Sequence, residues 1–173
     1  MPTEIERKFL LANDGWRGLA EGVTLCQGYL NTDAASTVRV RIAGSGAWLG
    51  VKGKGGITGK AGGSTRLEFE YPVPLEDAQE MLVRLAKRPL IEKTRYTIPF
   101  AGLLWEVDEF HGDNQGLIIA EVELESESQS FAKPDWAGLE VTGDPRYYNA
   151  NLVEKPFKNW SAEDTFTTHQ HSS

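Results

Sequence analysis

The chain has 173 residues, 40% of them hydrophobic and 25% charged, which suits one folded domain with a real core and argues against disorder as the default. Its net charge is −7 and its basic residues are dispersed singly on strands, so a general nucleic-acid binder is disfavoured. No stretch approaches the roughly 20 apolar residues of a membrane span, and a charged strand begins within three residues of the N-terminus, so no signal peptide is visible and the cytoplasm is the expected compartment.

The first strand-like run, 3–11, places Glu4, Glu6 and Lys8 at i, i+2 and i+4, one face of a strand. The second, 23–31, sets Cys26 in parity with Gly28 and Leu30, opposite Gln27 and Tyr29. A lone cysteine forms no internal disulfide, and Cys26 reads as a packing residue. Arg39 and Arg41 share a face of 37–43, and Lys52 and Lys54 share a face of 47–54. Trp48 has the parity of Lys52 and is either a base-stacking residue near a tunnel mouth or a strand-end aromatic at a hairpin. The Gly53–Ser64 segment holds glycines with Lys54 and Lys60. It lacks GxxxxGK[ST] and no helix start follows, so it reads as a mobile hairpin rather than a phosphate loop.

Arg66, Glu68 and Glu70 follow on 65–73, Lys93 and Arg95 on 91–99, Glu106 and Asp108 on 103–110, and Glu121 and Glu123 on 117–125. Leu75–Lys87 has helical apolar spacing, acids at its start, bases at its end and Pro89 just beyond. Ser126–Phe131 is predicted as a short second helix. Asp144-Pro145 reads as an N-cap and first-turn proline, opening a helix through about Val153 that Pro156 ends. Residues 156–173 are assigned to a polar tail expected to be disordered, weakly hydrophobic from about Ser161, with His169 and His171 solvated. His111, in a predicted turn, is expected to be exposed.

One strand alternating charged and apolar residues means only a solvated face. Here like charges pair within most strands and the sign changes between strands. Two like charges at contact distance repel by roughly 1 kcal/mol in water and about 4 when shielded, so the pattern asks for a partner. A sheet closed on itself supplies one, with acidic strands facing basic strands across a wet interior and the apolar parity outward under helices. The predicted fold is therefore mainly β: a closed eight-stranded antiparallel barrel, a tunnel with a charged interior and helices packed outside. Hard carboxylate oxygens on Glu4, Glu6, Glu121, Glu123 and the more ambiguous Asp108 suit Mg²⁺ or Mn²⁺. Lys8, Arg39, Arg41, Lys52, Lys93 and Arg95, with Arg66 in second rank, suit several phosphoryl groups in line.

The ordered series Glu-x-Glu-x-Lys at 4–8, Gln27-Gly28-Tyr29-Leu30, Arg39-Val40-Arg41, Arg66 to Glu70, Glu92 to Tyr96, Glu121-Val122-Glu123 and Glu140 to Tyr147 resembles the CYTH superfamily of triphosphate tunnel metalloenzymes over a domain of residues 1–155. The resemblance implies a divalent cation held by the glutamates, phosphate contacts from the basic set, and Glu4, Glu6, Lys8 and Tyr29 at the reacting end. The expected activity is hydrolysis of inorganic tripolyphosphate to pyrophosphate and phosphate. Class IV-type adenylate cyclase, thiamine triphosphatase and a non-catalytic polyphosphate- or nucleotide-binding module are the alternatives, and a homodimer is left open.

Overall fold

The computed structural model describes residues 3–33, 35–54, 65–162 and 164. The glycine-rich stretch from 55 to 64, and the tail with His169 and His171, lie outside the described residues. The strands are β1 (Thr3–Leu11), β2 (Gly22–Asn31), β3 (Ser36–Ala43), β4 (Gly46–Gly53), β5 (Thr65–Pro72), β6 (Ile91–Phe100), β7 (Leu103–Phe110), β8 (Ile118–Glu123) and β9 (Ala137–Glu140). Eight of them form a closed antiparallel barrel in the order β5-β4-β3-β2-β6-β7-β8-β1, with β1 returning to β5.

Closure uses only the first half of β1, where Glu4 lies opposite Arg66 and Ile5 opposite Thr65. Further along, β9 takes over this edge, with Phe9 opposite Glu140 and Leu11 opposite Ala137. The sequence reading misses β9 because Ala-Gly-Leu-Glu is short and carries no period-2 alternation. What selects it is close approach: a Cβ on Gly138 would stand 3.1 Å from both the Leu10 carbonyl and the Ala12 amide.

The outward parity carries the core. Phe9, Trp105, Val107, Ala120 and Val122 point away from the tunnel and are covered by Trp16 and Trp136 from two loops. Ser126–Phe131, predicted as a helix, forms turns instead. Its serines favour local backbone bonds, and Phe131 docks on Phe9 and Trp105 at centroid distances of 6.2 and 6.0 Å. Opposite, α1 (Leu75–Arg84) lays Ala78 and Leu82 over Val40 and Ala47, with Cys26 packed in the same layer as expected. The helix stops three residues short of Lys87, whose amide instead donates to the Tyr29 carbonyl on β2 at 2.9 Å.

The C-terminal helix is also shorter than predicted. Asp144 caps as expected, accepting from the Arg146 amide at 3.1 Å, but it opens a 3-10 turn, Pro145–Tyr147. Tyr148 is extended, and α2 (Asn149–Glu154) follows. The break lets Tyr147 drop into an apolar cluster of Ile91, Phe110, Ile119 and Leu152. Ile91, Phe110 and Ile119 have the inward parity of Lys93, Asp108 and Glu121. The barrel with its charged interior is as expected, and at one end apolar side chains and α2 plug it. Residues 156–160, assigned from sequence to the tail, also fold, with Phe157–Asn159 in a 3-10 turn and Phe157 and Trp160 packed against the plug.

Candidate active site

The barrel encloses a cavity of about 700 Å³. β1 contributes Glu4, Glu6 and Lys8 to its wall, because alternate residues of a strand share a face. By the same rule β3 contributes Arg39 and Arg41, β4 Lys52, β5 Arg66, β6 Lys93 and Arg95, and β8 Glu121 and Glu123. Tyr29 lines the cavity from the plugged end and is 4% exposed. Trp48 stays off the wall, its ring lying beside Gly46 at the β3–β4 hairpin. His111 is exposed, its Nε2 2.7 Å from the Thr94 hydroxyl.

Around this wall the charges alternate in pairs. Lys8 Nζ is 3.3 Å from Glu121, Lys52 Nζ 2.9 Å from Glu4, and Arg66 3.7 Å from Glu6. Arg95 bridges Glu106 at 2.7 Å and Asp108 at 2.8 Å, while Lys93 reaches the other oxygen of Asp108 at 2.7 Å. Both oxygens of Asp108 are thus taken by cations, and Asp108 is fully buried and absent from the cavity wall. It anchors Lys93 and Arg95, which leaves it ill placed as a metal ligand.

The pairing is incomplete in two places, and they have opposite sign. On β1 and β8 the carboxylates are in excess. Burial, then the charges of Glu121 and Glu4, pushes the Glu6 carboxyl up to about 7. Glu4 and Glu123 are raised as well, mainly by burial, against the pull of Lys52. Glu121 is the exception: against its burial, Lys8, Arg95 and Lys93 hold it well below the usual carboxylate range. Glu4 Oε1 is buried and receives no aligned hydrogen bond, despite its ion-pair distance to Lys52.

On β3, across the barrel from β8, the cations are in excess. Among the described residues Arg41 has no carboxylate partner, and burial, then Arg39 and Arg95, lowers its guanidinium to about 10. Its Nε donates to Gln27 at 3.0 Å. Arg39 lies 3.5 Å from a half-exposed Glu70. Lys93 is lowered to about 7, since burial and its neighbours Arg95 and Arg41 outweigh Asp108. Two cations face the one carboxylate of Asp108 and hold it low against its burial.

Among the wall residues that escaped the sequence reading, two touch its basic set. Tyr148 carries the Arg66 guanidinium 4.6 Å above its ring, and Asn149 accepts from Lys93. Both belong to the C-terminal segment, whose sequence announces a helix and gives no sign that its start faces the tunnel.

A barrel whose wall carries opposed, uncompensated charge has a counterpart among known families. A model of the CYTH domain matches residues 2–155. The chain belongs to the CYTH family. Membership implies dependence on a divalent metal. The chain is 49% identical over 160 residues to an inorganic triphosphatase of Acetivibrio thermocellus, covering 92% of this chain and 99% of the relative. It is 39% identical over 155 residues to one of Nitrosomonas europaea, covering 87% and 97%. A crystal structure of an inorganic triphosphatase superposes with a TM-score of 0.61 at 37% identity, over 88% of this chain and 95% of the other. A Pyrococcus furiosus protein at 19% identity, with a TM-score of 0.54, shares the fold alone.

Proposed function

We propose that this CYTH protein is a divalent-metal-dependent inorganic triphosphatase, converting tripolyphosphate and water to pyrophosphate and phosphate inside the barrel. The observation that carries the reading is the opposed charge of the cavity: carboxylates are in excess on one wall and cations on the facing wall. A linear triphosphate with a cation satisfies both at once.

The donors on β1 and β8 fit such a cation. Among the described residues no three His, Cys, Asp or Glu side chains converge as they stand. Mg²⁺ and Mn²⁺ do not require three: Mg²⁺ in particular keeps several waters and takes one or two carboxylates plus phosphate oxygens. Of Glu4, Glu6, Glu121 and Glu123, one or two would hold it directly and the others through its waters, and Glu4 Oε1 is a buried oxygen lacking an aligned donor. When bound, the metal would neutralise phosphate charge and make a bound water more acidic.

Phosphoryl transfer demands alignment and charge stabilisation more than covalent chemistry from the protein. Arg39 and Arg41 provide guanidinium forks for phosphate oxygens, while Lys93 and Arg95, fixed by Asp108, provide rigid positive charge beside them. Lys8, Lys52 and Arg66, now on Glu121, Glu4 and Glu6, would be free to meet phosphate oxygens if those carboxylates held a metal instead. The apolar plug excludes water from one end and gives a linear substrate a stop. Tyr29 faces the cavity at that end.

The deciding experiment is a phosphate-release screen with tripolyphosphate, ATP and thiamine triphosphate under each divalent ion, with cyclic AMP measured in parallel. Tripolyphosphate should be the preferred substrate, and activity should vanish in EDTA. Glu123→Gln and Glu4→Gln should reduce turnover at least 100-fold and alter the metal-concentration dependence while the circular dichroism spectrum stays native. Cyclic AMP as the main product would overturn the assignment.

A further inference from the structure

Gln27 is fully buried, lies behind the cavity wall and bears none of the charge the proposed reaction uses. A buried amide so placed calls for partners, and it has them. Its Oε1 accepts from Arg41 Nε at 3.0 Å, and its Nε2 donates to Asn149 Oδ1 at 3.1 Å. Asn149 Oδ1 also accepts from Lys93 Nζ at 3.0 Å. The result is a continuous path, Arg41 to Gln27 to Asn149 to Lys93, ending on Asp108.

The orientation of both amides follows from the ends. A guanidinium donates and never accepts, so Gln27 must turn its oxygen to Arg41 and its nitrogen toward Asn149. The ammonium of Lys93 likewise donates, so Asn149 must present its oxygen. Two cations thereby dictate the orientation of two neutral groups, and the neutral groups hold the cations apart at a fixed separation. Lys93 spends two of its three donors on Asp108 and Asn149, leaving one for the cavity. Among the described residues only Nε of Arg41 is taken, by Gln27, and Arg41 lines the cavity, which leaves its terminal nitrogens as a fork for phosphate.

We propose that Gln27 and Asn149 are positioning residues: a neutral amide relay that sets the spacing of Arg41 and Lys93 for neighbouring phosphoryl groups and ties that spacing to the docking of the C-terminal segment. The inference rests on the triphosphatase reading for its ligand. Because cations left without the relay would sample other rotamers, its loss should weaken binding through Arg41 and Lys93 rather than through global stability.

The test is a pair of double-mutant cycles read by calorimetric titration with inorganic tripolyphosphate in EDTA. Asn149→Leu should weaken binding about tenfold in the native background and less than twofold in Lys93→Met. Gln27→Leu should behave the same way with Arg41→Met. Asn149→Asp, which keeps the acceptor, should recover most of the affinity lost in Asn149→Leu. In the ligand-free protein, the Lys93 Nζ resonance should move in Asn149→Leu, and a resonance that does not move would overturn the relay. So would additive losses in both cycles. If the wild type neither binds tripolyphosphate in EDTA nor releases phosphate from it with Mg²⁺ or Mn²⁺, the triphosphatase reading falls, and the resonance still decides the relay. If Gln27→Leu fails to fold, the Asn149 cycle and resonance decide alone.

Discussion

Arg41, proposed above as a phosphate contact, would serve ligand binding at the expense of the empty protein. It brings a positive charge into a wall where Arg39 and Arg95 already stand, with no carboxylate partner among the described residues. Arg41→Met should therefore raise the melting temperature of the ligand-free protein by about 2–5 °C while weakening tripolyphosphate binding by roughly 1.5–3 kcal/mol. Differential scanning calorimetry and titration check the two halves, and a fall in both would show Arg41 to be structural. Glu6 is the mirror case. Its folded carboxyl sits at about 7 against an ordinary 4.5, so between those values the folded state holds a proton that the unfolded state releases. Metal-free stability should fall as pH rises through that window, by roughly 1–3 kcal/mol. Glu4, Glu106 and Glu123 are shifted in the same direction. Asp108, held at about 2 by Lys93 and Arg95 against its burial, contributes the opposite slope, losing its stabilisation only as pH falls from about 4 toward 2. Urea titrations of wild type and Glu6→Gln across pH 4–8 should show the decline flattened in the variant.

Between elements, contacts are decided by how closely backbones approach. Gly28 sits under α1, where an added Cβ would fall 2.6 Å from Ala86 Cβ and 2.8 Å from a Leu82 methyl. Ala86 has no rotamer to give way, so Gly28→Ala must push the helix off the sheet, at a cost of about 1–3 kcal/mol. Chemical denaturation should show that loss with an unchanged m-value, and a neutral outcome would mean that α1 is loosely seated. Gly138 plays the same part for β9. The Arg7–Glu140 ion pair, itself bonded to Thr142, then clamps that short strand to β1 from outside the barrel.

At the scale of the whole molecule, a tunnel lined by ions needs its stability from elsewhere. Two apolar layers outside the barrel and one plug inside it supply that stability, and the plug joins fold to function. Leu152 is fully buried in the plug, and Leu152→Ala should cost about 2–5 kcal/mol. Because Asn149 rides on the same helix, the variant should also lose tripolyphosphate affinity at temperatures where it remains folded. Tripolyphosphate should raise the melting temperature of the wild type by mass action, and by less in Leu152→Ala. Equal shifts would uncouple the plug from the site.

Strand parity was legible from the chain alone, because period 2 is a property of any extended backbone: it placed Glu4, Glu6, Arg39, Arg41, Lys93, Glu121 and the rest on one surface. The requirement that like charges find opposite partners was enough to predict the barrel. Which charge meets which was not legible, since strand order and register are set by closure. Asp108 illustrates this: by parity it ranks with the carboxylates proposed to hold a metal, yet its register opposite Arg95 and its contact with Lys93 make it an anchor. The plugged end, β9 and the reach of Asn149 into the wall likewise arise from segments distant in sequence meeting in space. Local spacing determines what a side chain faces, and only packing determines what it finds there.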